Sequence, residues 1–153
     1  MDTRRFALIL GIVFLLVGIL GFIPGITRMH TEHHANLSIH GPGDGMLLGL
    51  FHVNLVHNLL HVAFGIAGIA ASRTLPAARG YARFVAIAYG VLTILGLIPT
   101  ANTYNLWGLA PIHGHDVWLH ALIAAACAYF GFLHPNTVDH RDTTTTTTAA
   151  PPP

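Results

Sequence analysis

Asn54, His57, Asn58 and His61 fall at i, i+3, i+4 and i+7 in a stretch without formal charge. On a helix that spacing puts all four side chains on one face. His52, five residues before His57, lies off the stripe. A second apolar stretch carries Asp116 and His120 at i, i+4. Such groups can do three kinds of chemistry in apolar surroundings. They can hydrogen-bond across helices and fix the packing, at roughly 0.6 kcal/mol per contact in membranes. They can ligate: two His on facing helices hold a haem iron, and His57, His61 and His120 with Asp116 suit a divalent metal such as zinc or copper. One turn beyond His61 and His120 stand Gly65 and Ala124, small enough to leave room for a ring. They can also relay a proton or an ion. The first role is the one expected: a non-enzymatic polar core of His57, Asn58, His61, Asp116 and His120 that orders a bundle. Intramembrane haem or metal binding through His61 and His120 is one alternative, and proton or ion movement is the other.

The elements that position these residues must be membrane helices. Charged residues make up 8% of the 153 and hydrophobic ones 53%, where soluble domains carry roughly 25% charge. All seven basic residues are Arg, too few for the basic patch of a nucleic-acid binder. One cysteine, Cys127, excludes an intrachain disulfide framework and a cysteine zinc cluster. Four apolar stretches predict spans at about 6–23, 46–71, 81–99 and 115–133, with Tyr81 to Arg83 as the first turn of the third. Period-two alternation over ten residues is missing, so membrane strands are not expected. The first stretch lacks a small-x-small cleavage site before Pro24, which argues against a signal peptide. The fold class is an all-α, integral membrane four-helix bundle over residues 1–134, followed by a disordered Thr/Pro-rich tail at 135–153.

Arginine placement orients the spans. Arg4, Arg5, Arg73, Arg79, Arg83 and Arg141 fall on one side and Arg28 alone on the other. The positive-inside rule then puts both termini in the cytoplasm of a multi-pass cell (inner) membrane protein. The loop at 25–45 faces outward with His30, His33, His34 and His40, near Glu32, Asp44, His113 and His115. Their spacing matches no ordered ligand set, so a solvated, weakly metal-binding loop is expected there.

The chain reads as duplicated. Ile19-Leu20-Gly21-Phe22-Ile23-Pro24 returns as Ile94-Leu95-Gly96-Leu97-Ile98-Pro99, an offset of 75. The run from His57 to His61 matches Asp116 to His120 at an offset of 59. Each unit is then a two-helix hairpin, and both units enter the membrane from the same side. His61 pairs with His120 and His57 with Asp116, which places the matched imidazoles at similar depth in one interior.

Several of these segments resemble a bacterial four-helix membrane family, the domain of unknown function 4383. They are Phe51-His52-Val53-Asn54-Leu55-Val56-His57-Asn58-Leu59-Leu60-His61, Tyr81-Ala82-Arg83, Gly96-Leu97-Ile98-Pro99 and the Gly114 to His120 run. The resemblance covers roughly residues 6–133. It implies a four-span membrane protein and brings no activity, substrate or cofactor.

Small residues supply the packing. Gly11, Gly18, Gly21 and Gly25 form a seam on the first span, and Gly65, Gly68 and Ala124 to Ala126 serve likewise. Trp107, Trp118, Tyr81 and Tyr104 are expected at the interfaces, and Cys127 as a small buried hydrophobe. The lipid bilayer is the expected partner, no nucleic acid is, and a homo-oligomer is compatible with the sequence. No Gly-x-Ser-x-Gly elbow, phosphate-binding glycine loop or His-Glu-x-x-His run occurs, and Ser38 and Ser72 are the only serines.

Overall fold

A computed structural model describes residues 1–28, 41–98, 100, 106–112 and 114–135. The outward His cluster (His30, His33, His34 and His40), together with Glu32, Pro99, Tyr104, His113 and the tail from residue 136, lies outside the described residues.

Four helices dominate. α1 (Thr3–Leu20) starts at Asp2, whose carboxylate accepts the Arg5 N–H at 2.7 Å. That bond holds the Asp2 carboxyl below its usual range. α2 (Leu55–Ala71) starts at Asn54, whose Oδ1 accepts the His57 N–H at 2.9 Å. α3 (Leu75–Leu97) starts at Thr74, whose hydroxyl accepts the Ala77 N–H, with Pro76 preset in the first turn. α4 (His115–Ala128) runs into one π turn, Tyr129–Leu133, closed by the His134 N–H on the Tyr129 carbonyl at 2.8 Å. α1, α3 and the stretch His115–Leu133 are long and apolar enough to cross a membrane, while α2, with 17 residues, is shorter.

The second span differs most from expectation. Residues 46–53 are not helix but part of a small antiparallel sheet of β1 (Thr27–Arg28), β2 (Gly45–Leu47) and β3 (Phe51–Val53), ordered β1-β2-β3. Gly45 pairs with Val53, and Leu47 with Phe51. The turn between them needs left-handed backbone at Leu48 (φ 53) and Gly49 (φ 72). A short apolar run does not by itself tell strand from helix, and Asn54 ends the ambiguity by capping α2. The third helix also begins earlier than expected, at Leu75, so Tyr81 to Arg83 lies within it. Arg79 falls before the expected span and Arg83 in its expected first turn, yet both lie inside α3, because long arginine stems extend from helix interiors to polar acceptors.

The helices pair as two hairpins, α1 against α2 and α3 against α4, which meet chiefly between α1 and α3. The glycine seam allows the first pairing. A Cβ at Gly11 would lie 2.7 Å from the Ile69 nitrogen, and one at Gly18 2.8 Å from the Asn58 carbonyl. Gly25 is not part of the seam; it sits in a turn with φ 95 and open space around it. Phe6, Phe14, Val85, Tyr89 and Cys127 form the buried core. Tyr81 belongs to that core and not to an interface belt, because its ring is buried and its hydroxyl finds an acceptor within the protein, the Phe64 carbonyl, at 3.0 Å. Trp107 and Trp118 are exposed.

Candidate functional site: two matched pockets

His57 lies in the first turn of α2 and His61 one turn further in. Their rings stack at 4.5 Å with 7° between planes. His61 Nδ1 lies 3.0 Å from the His57 carbonyl. A carbonyl only accepts, so that nitrogen carries the proton. The His57 ring meets the Pro111 carbonyl. The expected four-residue stripe splits here. Asn54 stands outside the helix as its cap and donates through Nδ2 to the Leu109 carbonyl at 2.8 Å. Asn58 turns toward α1 and the 41–44 turn, donating to the Gly43 carbonyl at 3.3 Å and closing over Gly21. Only His57 and His61 face the interior between the hairpins, where they meet Asp116 and His120 of α4 around a cavity of about 90 Å³. Asp116 is 3% exposed and His120 4%. Among the described residues, Asp116 Oδ2 and His120 Nδ1 have no hydrogen-bond partner.

The two hairpins build this interior twice. Phe14 meets His61 edge-on at 5.4 Å and 87°. Tyr89, 75 residues after Phe14, meets His120, 59 residues after His61, at 5.0 Å and 87°. Phe14 and Tyr89 stack on each other at 5.4 Å and 20°. Equivalent residues in mutual contact lie at the axis that relates the halves, so the local twofold passes between these rings. Beside the 90 Å³ cavity lies a second of about 60 Å³. Val17, Leu119 and Ile123 line the first, and their counterparts Leu92, Leu60 and Phe64 the second. Leu47, Phe51 and Val53 roof the first, as Leu106, Ala110 and Ile112 roof the second. Each pocket therefore takes its first helix and roof from one hairpin and its second helix from the other. The roofs share part of their backbone: φ is 53 at Leu48 and 54 at Trp107, 72 at Gly49 and 86 at Gly108, although Leu106 is left-handed too (φ 44) where its counterpart Leu47 is strand. The sequence carries that signal as Leu47-Leu48-Gly49-Leu50 against Leu106-Trp107-Gly108-Leu109, again 59 apart. Comparing only the residues around the histidines passes over it.

The family described as a domain of unknown function, DUF4383, matches residues 4–133. The chain belongs to that family. No curated protein and no solved structure matches it. The DUF4383 match takes in both hairpins, both roofs and all of His57, Asn58, His61, Asp116 and His120. Within this DUF4383 chain, the described residues include no group of three His, Cys, Asp or Glu side chains arranged to hold a metal ion. The room expected beside Gly65 is taken by α1, since a Cβ there would lie 2.6 Å from the Leu15 nitrogen. The site keeps three imidazoles and one carboxylate around a small, mostly apolar space. His57, His61 and His120 line the same two cavities. That set suits hydrogen bonding to water and exchange of a proton.

Proposed function

We propose that this DUF4383 chain is a non-enzymatic, four-span protein of the cell (inner) membrane whose matched pockets hold water and take up a proton. The observation that carries this reading is the pair of unpartnered atoms, Asp116 Oδ2 and His120 Nδ1, buried at one cavity. A core that served packing alone would pair such atoms, because each one left unpaired costs about 1–3 kcal/mol. A cavity of about 90 Å³ has room for several waters, since one needs only about 10–15 Å³ and two or more polar partners. Water there joins Asp116 and His120 to His61 and His57. The groups facing it are His57 and His61 from α2, Tyr89 from α3, and Asp116 and His120 from α4; α1 and the roof add apolar side chains. Asp116 is the sole carboxylate in that set, and His120 is the imidazole left without a partner among the described residues, so the proton is shared between Asp116 and His120. Infrared spectroscopy of the full chain in lipid tests this. A carboxyl band that responds to bulk pH, disappears in Asp116→Asn and shifts in His120→Gln is expected. A difference spectrum between the natural chain and Asp116→Asn that holds no pH-responsive carboxyl band would overturn the reading.

Orientation is part of the same proposal. Arg4, Arg5, Arg73, Arg79 and Arg83 support a cytoplasmic location for both termini and for the α2–α3 connection, which leaves the pockets in the outward half of the bundle. Reporters fused after Pro153 and between α2 and α3 should read cytoplasmic, and one near His40 external. The opposite pattern contradicts the assignment.

A further inference from the structure

The repeat extends to the arginines at the other end of the bundle, and there it breaks in an informative way. Arg4 and Arg79 are equivalent, 75 residues apart. Each reaches the end of the second helix of its own hairpin. Arg4 Nε donates to the Ser72 carbonyl at 3.1 Å, and Arg79 Nη2 donates to the His134 carbonyl. The second hairpin adds Arg83, whose counterpart in the first is Leu8. Arg83 Nε donates to the Gly131 carbonyl at 2.8 Å, and its guanidinium lies 5.3 Å from the centre of the Phe132 ring. Two guanidiniums thus sit at i, i+4 on one face of α3, where like charges repel. Among the described residues neither has a carboxylate within ion-pair distance, the one ion pair being Arg5 with Asp2. Arg79 Nε is buried and has no acceptor among the described residues. Beside them Phe84, Phe132 and Leu133 present apolar side chains outward.

We infer that Arg79 and Arg83 hold the phosphate of an anionic membrane lipid, whose acyl chains lie along Phe84, Phe132 and Leu133. A phosphate accepts several N–H bonds at once, relieves the repulsion and suits the guanidinium fork. The exposed apolar residues beside the pair favour a lipid over a free ion, since a soluble phosphate gains nothing from them. The first hairpin supplies the contrast: Arg4 makes the same helix-end bond but has leucine where the second arginine would stand.

Native mass spectrometry of the detergent-purified full chain tests the assignment, with phosphatidylglycerol, phosphatidylcholine and inorganic phosphate as probes. Phosphatidylglycerol should be retained in preference to phosphatidylcholine. Arg83→Gln and Arg79→Gln should each weaken that retention about fivefold, as loss of one basic residue near a membrane surface does. Arg4→Gln should leave it unchanged. Equal retention of the two lipids, an undiminished phosphatidylglycerol signal in Arg83→Gln, or competition by inorganic phosphate alone would each overturn the lipid site. If Arg79→Gln fails to fold without its bond to the His134 carbonyl, Arg83→Gln decides the matter by itself.

Discussion

Phe14 and Tyr89 stack at the local axis, and each presents an edge-on contact to the histidine of its own hairpin, His61 or His120. The ring geometry, the apolar lining and two left-handed roof positions, Leu48/Trp107 and Gly49/Gly108, agree between the halves. The polar groups one turn before each histidine do not. In the first hairpin His57 stacks on His61, and both rings reach backbone carbonyls. In the second the equivalent residue is Asp116, and both Asp116 Oδ2 and His120 Nδ1 lack a partner among the described residues. At the cavity, the first half ties its two rings to backbone carbonyls while the second leaves Asp116 Oδ2 and His120 Nδ1 to the enclosed space; away from it, Asn58 Oδ1 of the first half is also buried without a partner among the described residues. The matched halves share a scaffold, and the exchange of His57 for Asp116 is the divergence on which the proposed proton site rests.

The two hairpins are also packed unequally, and the largest mutational effect should show it. Gly18 touches the α2 backbone, whereas its counterpart Thr93 already carries a side chain bonded to the Tyr89 carbonyl at 2.8 Å. Gly18→Leu should cost about 3 kcal/mol or more, because backbone on both sides must move. Thr93→Leu should cost much less. Thermal stability in detergent measures both, and equal losses would show that the seam is no tighter in the first half.

Next in size are the histidines. His61→Ala and His120→Ala should each destabilise by about 1–3 kcal/mol, the usual cost of stranding buried polar partners. Both rings line both cavities, so the double change should cost less than the sum. Strict additivity would mean the two halves do not communicate.

Smaller still is the effect of making the halves alike. Asp116→His copies the first hairpin and should alter stability by about 1 kcal/mol or less, while removing the pH-responsive band assigned to the Asp116 carboxyl. A response that survives would place the proton elsewhere.

The smallest contrast lies in the caps. Asp2 caps α1 with a charge, and Thr74 caps α3 without one. Asp2→Ala should cost about 0.5–1 kcal/mol at neutral pH. The Asp2 carboxyl is held below its usual range in the folded chain, so its contribution is present above the unfolded value and fades as pH falls through the folded one. Thr74→Ala should cost a similar amount at every pH. Unfolding measured at neutral and acid pH separates the two.

How much of this was legible follows from the physics of each segment. Helix-length apolar runs fix α1, α3 and α4, and the repeated Ile-Leu-Gly-x-Ile-Pro ending reveals two hairpins. The second run misleads because residues 46–53 are as apolar as the helix that follows. Asn54 reads equally well as part of a polar stripe or as a cap, and only the left-handed turn at Leu48 and Gly49 separates the two. His57, His61, Asp116 and His120 were legible as a group from their spacing. Asn58 was not excludable, because helical spacing places it beside His57 and only the approach of Gly21 and Gly43 draws it away. The matched roofs were legible in principle from Leu-x-Gly-Leu. The cavity was not, since it depends on which helix of one hairpin faces which roof of the other.

The central claim is that the two halves share one geometry and differ at His57 and Asp116, with the exchangeable proton on the Asp116 side. Nitrogen-15 spectra of the His61 and His120 rings in lipid, recorded for the natural chain and for Asp116→Asn, test it most directly. The account predicts that the His120 signals move and respond to pH in the natural chain but not in the variant, while His61 stays as it is, held by the His57 carbonyl. Identical behaviour of the two rings, or a His120 signal indifferent to Asp116→Asn, would contradict it.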